Sequence, residues 1–215
     1  MIDNKLPLEL NDAQIAEVLA GFGIQASSDH LFKIREYISI LLKWNRSINL
    51  TSITSPVEIV ARHFGESMFA SRLLAMENCR LADVGSGAGF PGLALKIICP
   101  NLRMVLIESN RKKSAFLSEV VRSLGFADVE LITSRFEEMR PEAGSFEIVA
   151  ARALGGFPQL LRWAKQVLTA RGHLLLWTGG EDTIRIMKTP GWIWSPAIRI
   201  PESQRRFIVT GRPSP

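Results

Sequence analysis

The sequence predicts an α/β protein: a mostly parallel, doubly wound sheet with an antiparallel strand at one edge and a helical extension at the N-terminus. Three observations predict it. The first is a strand–glycine turn–helix stretch, Asp83-Val84-Gly85-Ser86-Gly87-Ala88-Gly89-Phe90-Pro91-Gly92, entered from the apolar Leu81-Ala82 and left through the apolar Leu93 to Ile98. The second is the alternation, from Arg80 onward, of short apolar runs with amphipathic stretches, which is the pattern of βαβ units. The third is the lack of any strand pattern before Arg80, where apolar residues recur at the three-to-four spacing of helices. The expected division is a helical extension over 1–78 and a compact core over 79–212.

In order along the chain, Asn11 or Asp12 caps a first helix carrying Ile15, Val18 and Leu19, which Gly21 and Gly23 end. Ser27-Ser28-Asp29 caps a second helix with Leu31, Ile34, Ile38, Leu41 and Leu42 on one stripe. Ser55-Pro56 starts a third, from Val57 to about Leu74. Short helices like these persist only when packed, so the extension is expected to dock on the core. The core strands are expected at Leu81–Val84, Met104–Ile107, Val129–Ile132, Phe146–Ala150 and His173–Trp177, with helices after Asn110 and over about Pro158 to Leu168. Two further strand-like runs, Trp192 to Ile200 and Arg206 to Thr210, are joined by a short loop and so are expected to pair antiparallel at one edge. Trp192 and Trp194 share one face of their strand, for core packing or for stacking on bases.

Bulk properties narrow the partner. The 215 residues carry a formal net charge of +5, with a pI near 9.6, which favours an acidic partner, nucleic acid first. No apolar run approaches the roughly 20 residues that cross a bilayer. Met1-Ile2-Asp3-Asn4-Lys5 is not a basic head before an apolar core, so neither membrane nor export is expected. Cys79 and Cys99 lack CxxC spacing and read as reduced thiols of a cytoplasmic protein. His30, His63 and His173 are scattered, and no metal site is expected.

The ligand question rests on the turn. Gly87-Ala88-Gly89-Phe90-Pro91-Gly92 matches G-x-G-x-x-G, which by itself fits a nicotinamide or flavin site. Gly85, Gly87 and Gly89 let backbone and ligand approach closely. Glu108, ending the next strand, can accept hydrogen bonds from ribose hydroxyls of either ligand class. Asp83 discriminates: a carboxylate there disfavours a pyrophosphate and suits a cationic ligand with an ammonium and a sulfonium, such as S-adenosylmethionine. Alternatively, Asp83 simply holds the turn by accepting from backbone N–H groups.

Further segments are Trp44-Asn45 through Asn49-Leu50-Thr51, Arg62-His63 with Glu66-Ser67, Glu108-Ser109 with Lys112-Lys113 and Phe116-Leu117, Ser134-Arg135-Phe136-Glu137-Glu138, and Ala151-Arg152-Ala153. In the order and spacing of these segments around the glycine turn, from Leu41 to Arg206, the chain resembles the RsmG (GidB) family of bacterial small-subunit ribosomal RNA methyltransferases. The resemblance implies a class I, Rossmann-like methyltransferase that uses S-adenosylmethionine to methylate N7 of one guanine in 16S rRNA, naked or in the assembling small subunit, as a monomer. It implies cofactor contacts at Gly85, Phe90, Phe136, Glu137 and Arg152. From the residues, Phe136 is either an adenine platform or a core aromatic.

The RNA-facing candidates are Arg62, His63, Lys112, Arg135, Arg205 and Arg206, each able to meet a phosphate, with Arg46, Arg111, Lys113 and Arg152 beside them; alternatively Arg62-His63 is a hydrogen-bonded hinge between extension and core, and Arg111-Lys112-Lys113 a solvated helix start. Where the family has a lysine before a glycine after the fifth strand, this chain has Thr178-Gly179, so the charge must come from elsewhere. Guanine N7 has a lone pair and no proton to lose, so no general base and no catalytic side chain is expected, only positioning. The alternatives are a class I methyltransferase for another RNA site, a small molecule or a protein, a nicotinamide-dependent oxidoreductase, and an RNA-binding module with a dead cofactor pocket.

Overall fold

A computed structural model of the chain describes residues 10–140, 142–152 and 155–214. The first nine residues of the expected extension, and Ala153 of the Ala-Arg-Ala segment, lie outside the described residues. Strands β1 (Arg80–Val84), β2 (Arg103–Ile107), β3 (Val129–Ile132), β4 (Phe146–Arg152) and β5 (Leu168–Gly179) are followed by three short or edge strands, β6 (Trp192–Trp194), β7 (Ile198–Arg199) and β8 (Arg206–Pro213). They form one sheet in the order β3-β2-β1-β4-β5-β8-β6, with β7 also on β8. The pairs from β3 to β5 are parallel, and β8 runs antiparallel to β5, β6 and β7.

Side chains alternate along each strand, so each strand feeds two cores. Leu81, Met104, Leu106, Ile148, Ala150, Leu175 and Trp177 face one cluster. Ala82, Val84, Val105, Ile107, Val149, Leu174 and Leu176 face the other. The first cluster holds helices α5 (Gly92–Ile98) and α6 (Arg111–Ser123) and, packed outside them, α1 (Asp12–Ala20) and α2 (Ser28–Asn45) of the N-terminal part. The second is covered by α7 (Phe157–Val167) and α8 (Gly180–Met187). Asn11 and Ser27 cap α1 and α2 with reciprocal capping boxes closed by Gln14 and His30. Among the described residues no helix is long and apolar enough to cross a membrane.

Three elements differ from the sequence expectation. The third helix is not uniform. It runs as α3 (Pro56–Ile59), a π turn over Val60–Gly65, α4 (Glu66–Met68) and a 3-10 turn over Phe69–Arg72. The Glu66 N–H reaches back five residues to the Ala61 carbonyl, and such widened turns collect at functional positions. Gly65 allows the close approach of this segment to the N-terminal part, since a Cβ there would meet the Phe22 ring at 2.5 Å. Second, α8, not anticipated from the sequence, starts at Gly180; Glu181 and Asp182 fill its first turn, where acids suit a helix start. Third, the run from Trp192 to Ile200 is split into β6 and β7, but both pair antiparallel with β8 at the sheet edge, as expected of the two late runs. Trp192 is in the second core, with Trp194 stacked on it at 5.4 Å, so this pair packs on itself.

Candidate functional site

The chain leaves β1 at Val84 and turns at once. The Gly85 and Ser86 N–H groups donate to the Ile107 carbonyl at the end of β2, and the Gly89 N–H to the Ser86 carbonyl. Gly85, Gly87 and Gly89 all have positive φ, at 73°, 56° and 81°. Two of them serve different ends. At Gly89 a Cβ would lie 2.0 Å from the Tyr37 phenol oxygen, so no larger residue fits. At Gly87 a Cβ would meet only the Gly85 carbonyl, at 3.6 Å, so the turn is open on that side.

Two carboxylates hold the turn. Glu108, buried at the end of β2, accepts from the Gly87 N–H through Oε2 at 2.8 Å and from the Asn110 N–H through Oε1 at 2.7 Å. Asp83 is fully buried beneath the turn and accepts from the Gly92 N–H through Oδ2 at 3.1 Å. This is the turn-holding alternative for Asp83; it is not a surface carboxylate. Its Oδ1 is buried without a hydrogen-bond partner. Burial pushes the Asp83 carboxyl up to about 7, against the lowering effect of the Gly92 hydrogen bond.

A second assembly lies at the same end of the sheet. The register pairs Val84 with Ala151, so Arg152 stands beside Gly85. Arg152 donates to Glu66 Oε2 at 3.0 Å, to the Arg62 carbonyl at 2.7 Å and to Ser67 Oγ at 3.3 Å. Glu66, its side chain 2% exposed, also meets Arg62 Nε at 3.1 Å and Arg206 Nη2 at 2.8 Å, both on Oε1. These last two are ion pairs without hydrogen-bond geometry, and Arg62 Nε and Arg206 Nε keep no hydrogen-bond partner. Trp177 Nε1 donates to the Glu66 carbonyl at 2.8 Å and locks the segment to β5. The three guanidiniums, Glu66, Trp177, Thr178 and Asp182 line a cavity of about 410 Å³. Asp182 is already paired with Arg185, so the cavity carries an excess of positive charge.

The structure thus brings Arg62, Arg152 and Arg206 together, although 144 positions separate the first from the last. It does not bring in Lys112, Arg135 or Arg205, which are exposed and outside the cavity lining. His63, read as an RNA-facing candidate or as part of a hydrogen-bonded hinge, is half-buried, and its neutral form is favoured. Burial, then the Arg152 and Arg62 charges, push it down to about 3. Its ring lies near-parallel to Phe90, 4.7 Å between centroids, and Nε2 is 2.8 Å from Thr51 Oγ1. Phe136 is buried against Trp163, rings 5.7 Å apart, which is the core-aromatic alternative, while Glu137 is exposed. Sequence reasoning did not select Glu66 or Trp177 as site residues. Glu66 has one usable signal, its four-residue spacing from Arg62 on a helix. Trp177 has none, because its role depends on a contact across 111 residues.

Comparison with known proteins adds the family context. A family model described as GidB, rRNA small subunit methyltransferase G, matches residues 30–192. A ribosomal RNA small subunit methyltransferase G of Xylella fastidiosa is 40% identical over 158 residues, 73% of each chain. The protein of the same name from Photobacterium profundum is 32% identical over 200 residues, 91% of this chain and 96% of the relative. Among solved structures, a SAM-dependent methyltransferase from Aquifex aeolicus superposes with a TM-score of 0.62 at 15% identity, covering 81% of this chain and 97% of that one. At that identity the likeness is one of fold, the class I methyltransferase fold.

Proposed function

The chain belongs to the rRNA small subunit methyltransferase G family, and from that premise we propose that it binds S-adenosylmethionine on the glycine turn and methylates N7 of one guanine in 16S rRNA. The observation that carries the reading is the shared edge. An open turn at Gly87 and a cationic cavity around Arg152 adjoin across the β1–β4 register, at the carboxyl ends of the strands where such sheets take ligands.

The turn fits the cofactor on two counts. It has no side chain over Gly87, and it has a buried carboxylate at Glu108 with lone pairs to share with ribose hydroxyls. Asp83, beneath the turn, holds its shape through the Gly92 N–H. Phe90, Phe136, Glu137 and Arg152 are the further contacts that the family resemblance implies. When bound, S-adenosylmethionine supplies an electrophilic methyl group. Guanine N7 offers a lone pair without a proton, so the chain need hold no base. Its work is to fix the base and its flanking phosphate, and positioning of this kind supplies about 7–11 kcal/mol in favourable cases.

Arg62 and Arg206, whose partly exposed guanidiniums line the cavity, are the phosphate donors, and Glu66 keeps the three guanidiniums from repelling one another. The missing lysine before Gly179 is made good by Arg206. The β5–β8 register sets Arg206 directly opposite Gly179, so a cation reaches the same mouth from the neighbouring strand. Arg135, Arg205 and Lys112 are exposed and available for more distant RNA phosphates.

The test is labelled methyl transfer to 16S rRNA and to small subunits from cells lacking the gene, with the modified nucleotide identified by mass spectrometry. N7-methylguanine at a single position is the expected product. Methyl transfer to another atom or another class of substrate refutes the substrate assignment, and cofactor binding without transfer refutes the enzyme.

A further inference from the structure

Tyr37 belongs to α2, in the N-terminal part, yet its phenol lies inside the glycine turn. It is completely buried and donates to the Ala88 carbonyl at 2.7 Å across 51 residues of sequence. Its ring is near-parallel to Phe90, 5.3 Å between centroids and 12° between planes, and meets Phe64 edge-on at 5.3 Å. The space the phenol occupies is the space a Cβ on Gly89 would need. The N-terminal part therefore grips two consecutive features of the turn: the Ala88 peptide through a hydrogen bond, and Phe90 through the Tyr37 and His63 rings.

A turn with three positive-φ glycines is poorly determined by its own residues, because glycine restricts φ so little. Something outside must select one conformation, and a single fixed donor on a rigid helix does that at little entropic cost. Burial, and then the Asp83 charge, push the Tyr37 phenol further up from its ordinary value. That direction favours the protonated phenol, the form that donates to Ala88.

We infer that Tyr37 is a positioning residue for the cofactor turn, and that docking of α2 sets the conformation in which the turn accepts its ligand. The inference rests on the cofactor reading above. Linkage makes it reciprocal: a ligand that needs the shaped turn must in return strengthen the docking of α2.

The experiment compares Tyr37→Phe, which keeps the ring and removes the donor, with Ile15→Val, a conservative change in the same core on α1 and away from the turn. Titration with S-adenosylhomocysteine is expected to give a threefold to tenfold higher Kd for Tyr37→Phe, about what one hydrogen bond commands. The KM for rRNA should stay within twofold. Ile15→Val, with a similar or larger loss in Tm, should leave the Kd within twofold. Equal Kd values for Tyr37→Phe and the unaltered protein overturn the inference, and so does an equal loss in both variants. If Tyr37→Phe does not fold, hydrogen exchange on the unaltered protein decides. S-adenosylhomocysteine should slow exchange of α2 amides near Tyr37 as well as those of 85–92, and protection confined to the turn overturns the inference. Failure of the unaltered protein to bind S-adenosylhomocysteine at all refutes the cofactor reading itself, and the inference with it.

Discussion

Around Gly87 the site is shaped by backbone N–H groups and two carboxylates that lie within 26 positions of one another in the chain; around Glu66 it is shaped by side chains drawn from the π turn, β4 and β8. The turn spends its carboxylates internally, each accepting from a backbone donor. The arginine cluster does the reverse. It gathers three cations on one buried anion and leaves donors over. A region held by its own backbone is robust to side-chain change except at the few groups that bond it. A region held by charge across distant segments fails when its one buried counter-charge goes, since the exposed Glu58 reaches only Arg62.

That difference orders the expected effects. Glu66→Gln should be the most damaging, costing about 3–5 kcal/mol, because three guanidiniums then face one another with no buried anion between them. Urea unfolding measures it, and an unchanged midpoint would mean that water already screens the cluster. Glu108→Ala comes next. It removes the acceptor of two backbone donors, and S-adenosylhomocysteine affinity should fall at least about thirtyfold by titration, with rRNA affinity nearly intact. Arg206→Ala should do the opposite: about a tenfold weaker rRNA complex with cofactor binding retained, and a log–log salt slope shallower by about one. If Arg206→Ala weakens the cofactor instead, the two regions are not functionally separate.

The last effect is one of pH. Asp83 has a folded-state pKa of about 7, above its ordinary 3.8, so the folded protein resists ionising it. Its contribution to stability is full below the ordinary value and is lost as pH rises toward 7. His63, held near 3 against an ordinary 6.5, contributes with the opposite sign: stability is lost as pH falls below 6.5. Asp83→Asn should therefore flatten the Tm loss between about pH 4 and 7 and leave the acid-side loss in place. The curves should diverge from about pH 4 and differ most at neutral pH, by about 10 °C. Parallel curves for the two proteins would show that Asp83 is ionised throughout.

Much of this was legible before the fold was known. The glycine turn, its flanking strand and helix, the two N-terminal caps and the parallel order of the core strands follow from local pattern, and the resemblance to the methyltransferase family followed from spaced segments. What failed did so for identifiable reasons. The sequence signals no helix after the Gly179-Gly180 pair, since glycine is a poor helix former, yet the buried Thr183 and Ile186 draw the segment into α8. His63 reads as a cation from its residue type, but its neighbours Arg62 and Arg152 and its burial make the charge untenable.

The sequence alone determined which backbone conformations the turn can adopt, where the N-terminal helices begin, and how the strands alternate between two cores, because each of these depends on neighbours a few residues apart. Tertiary structure alone decided that Asp83 lies beneath the turn rather than over it, that Tyr37 reaches Ala88, and that Arg62, Arg152 and Arg206 share Glu66. Burial and charge pairing are properties of what surrounds a group, and for these groups the surroundings come from segments that only the folded sheet brings together.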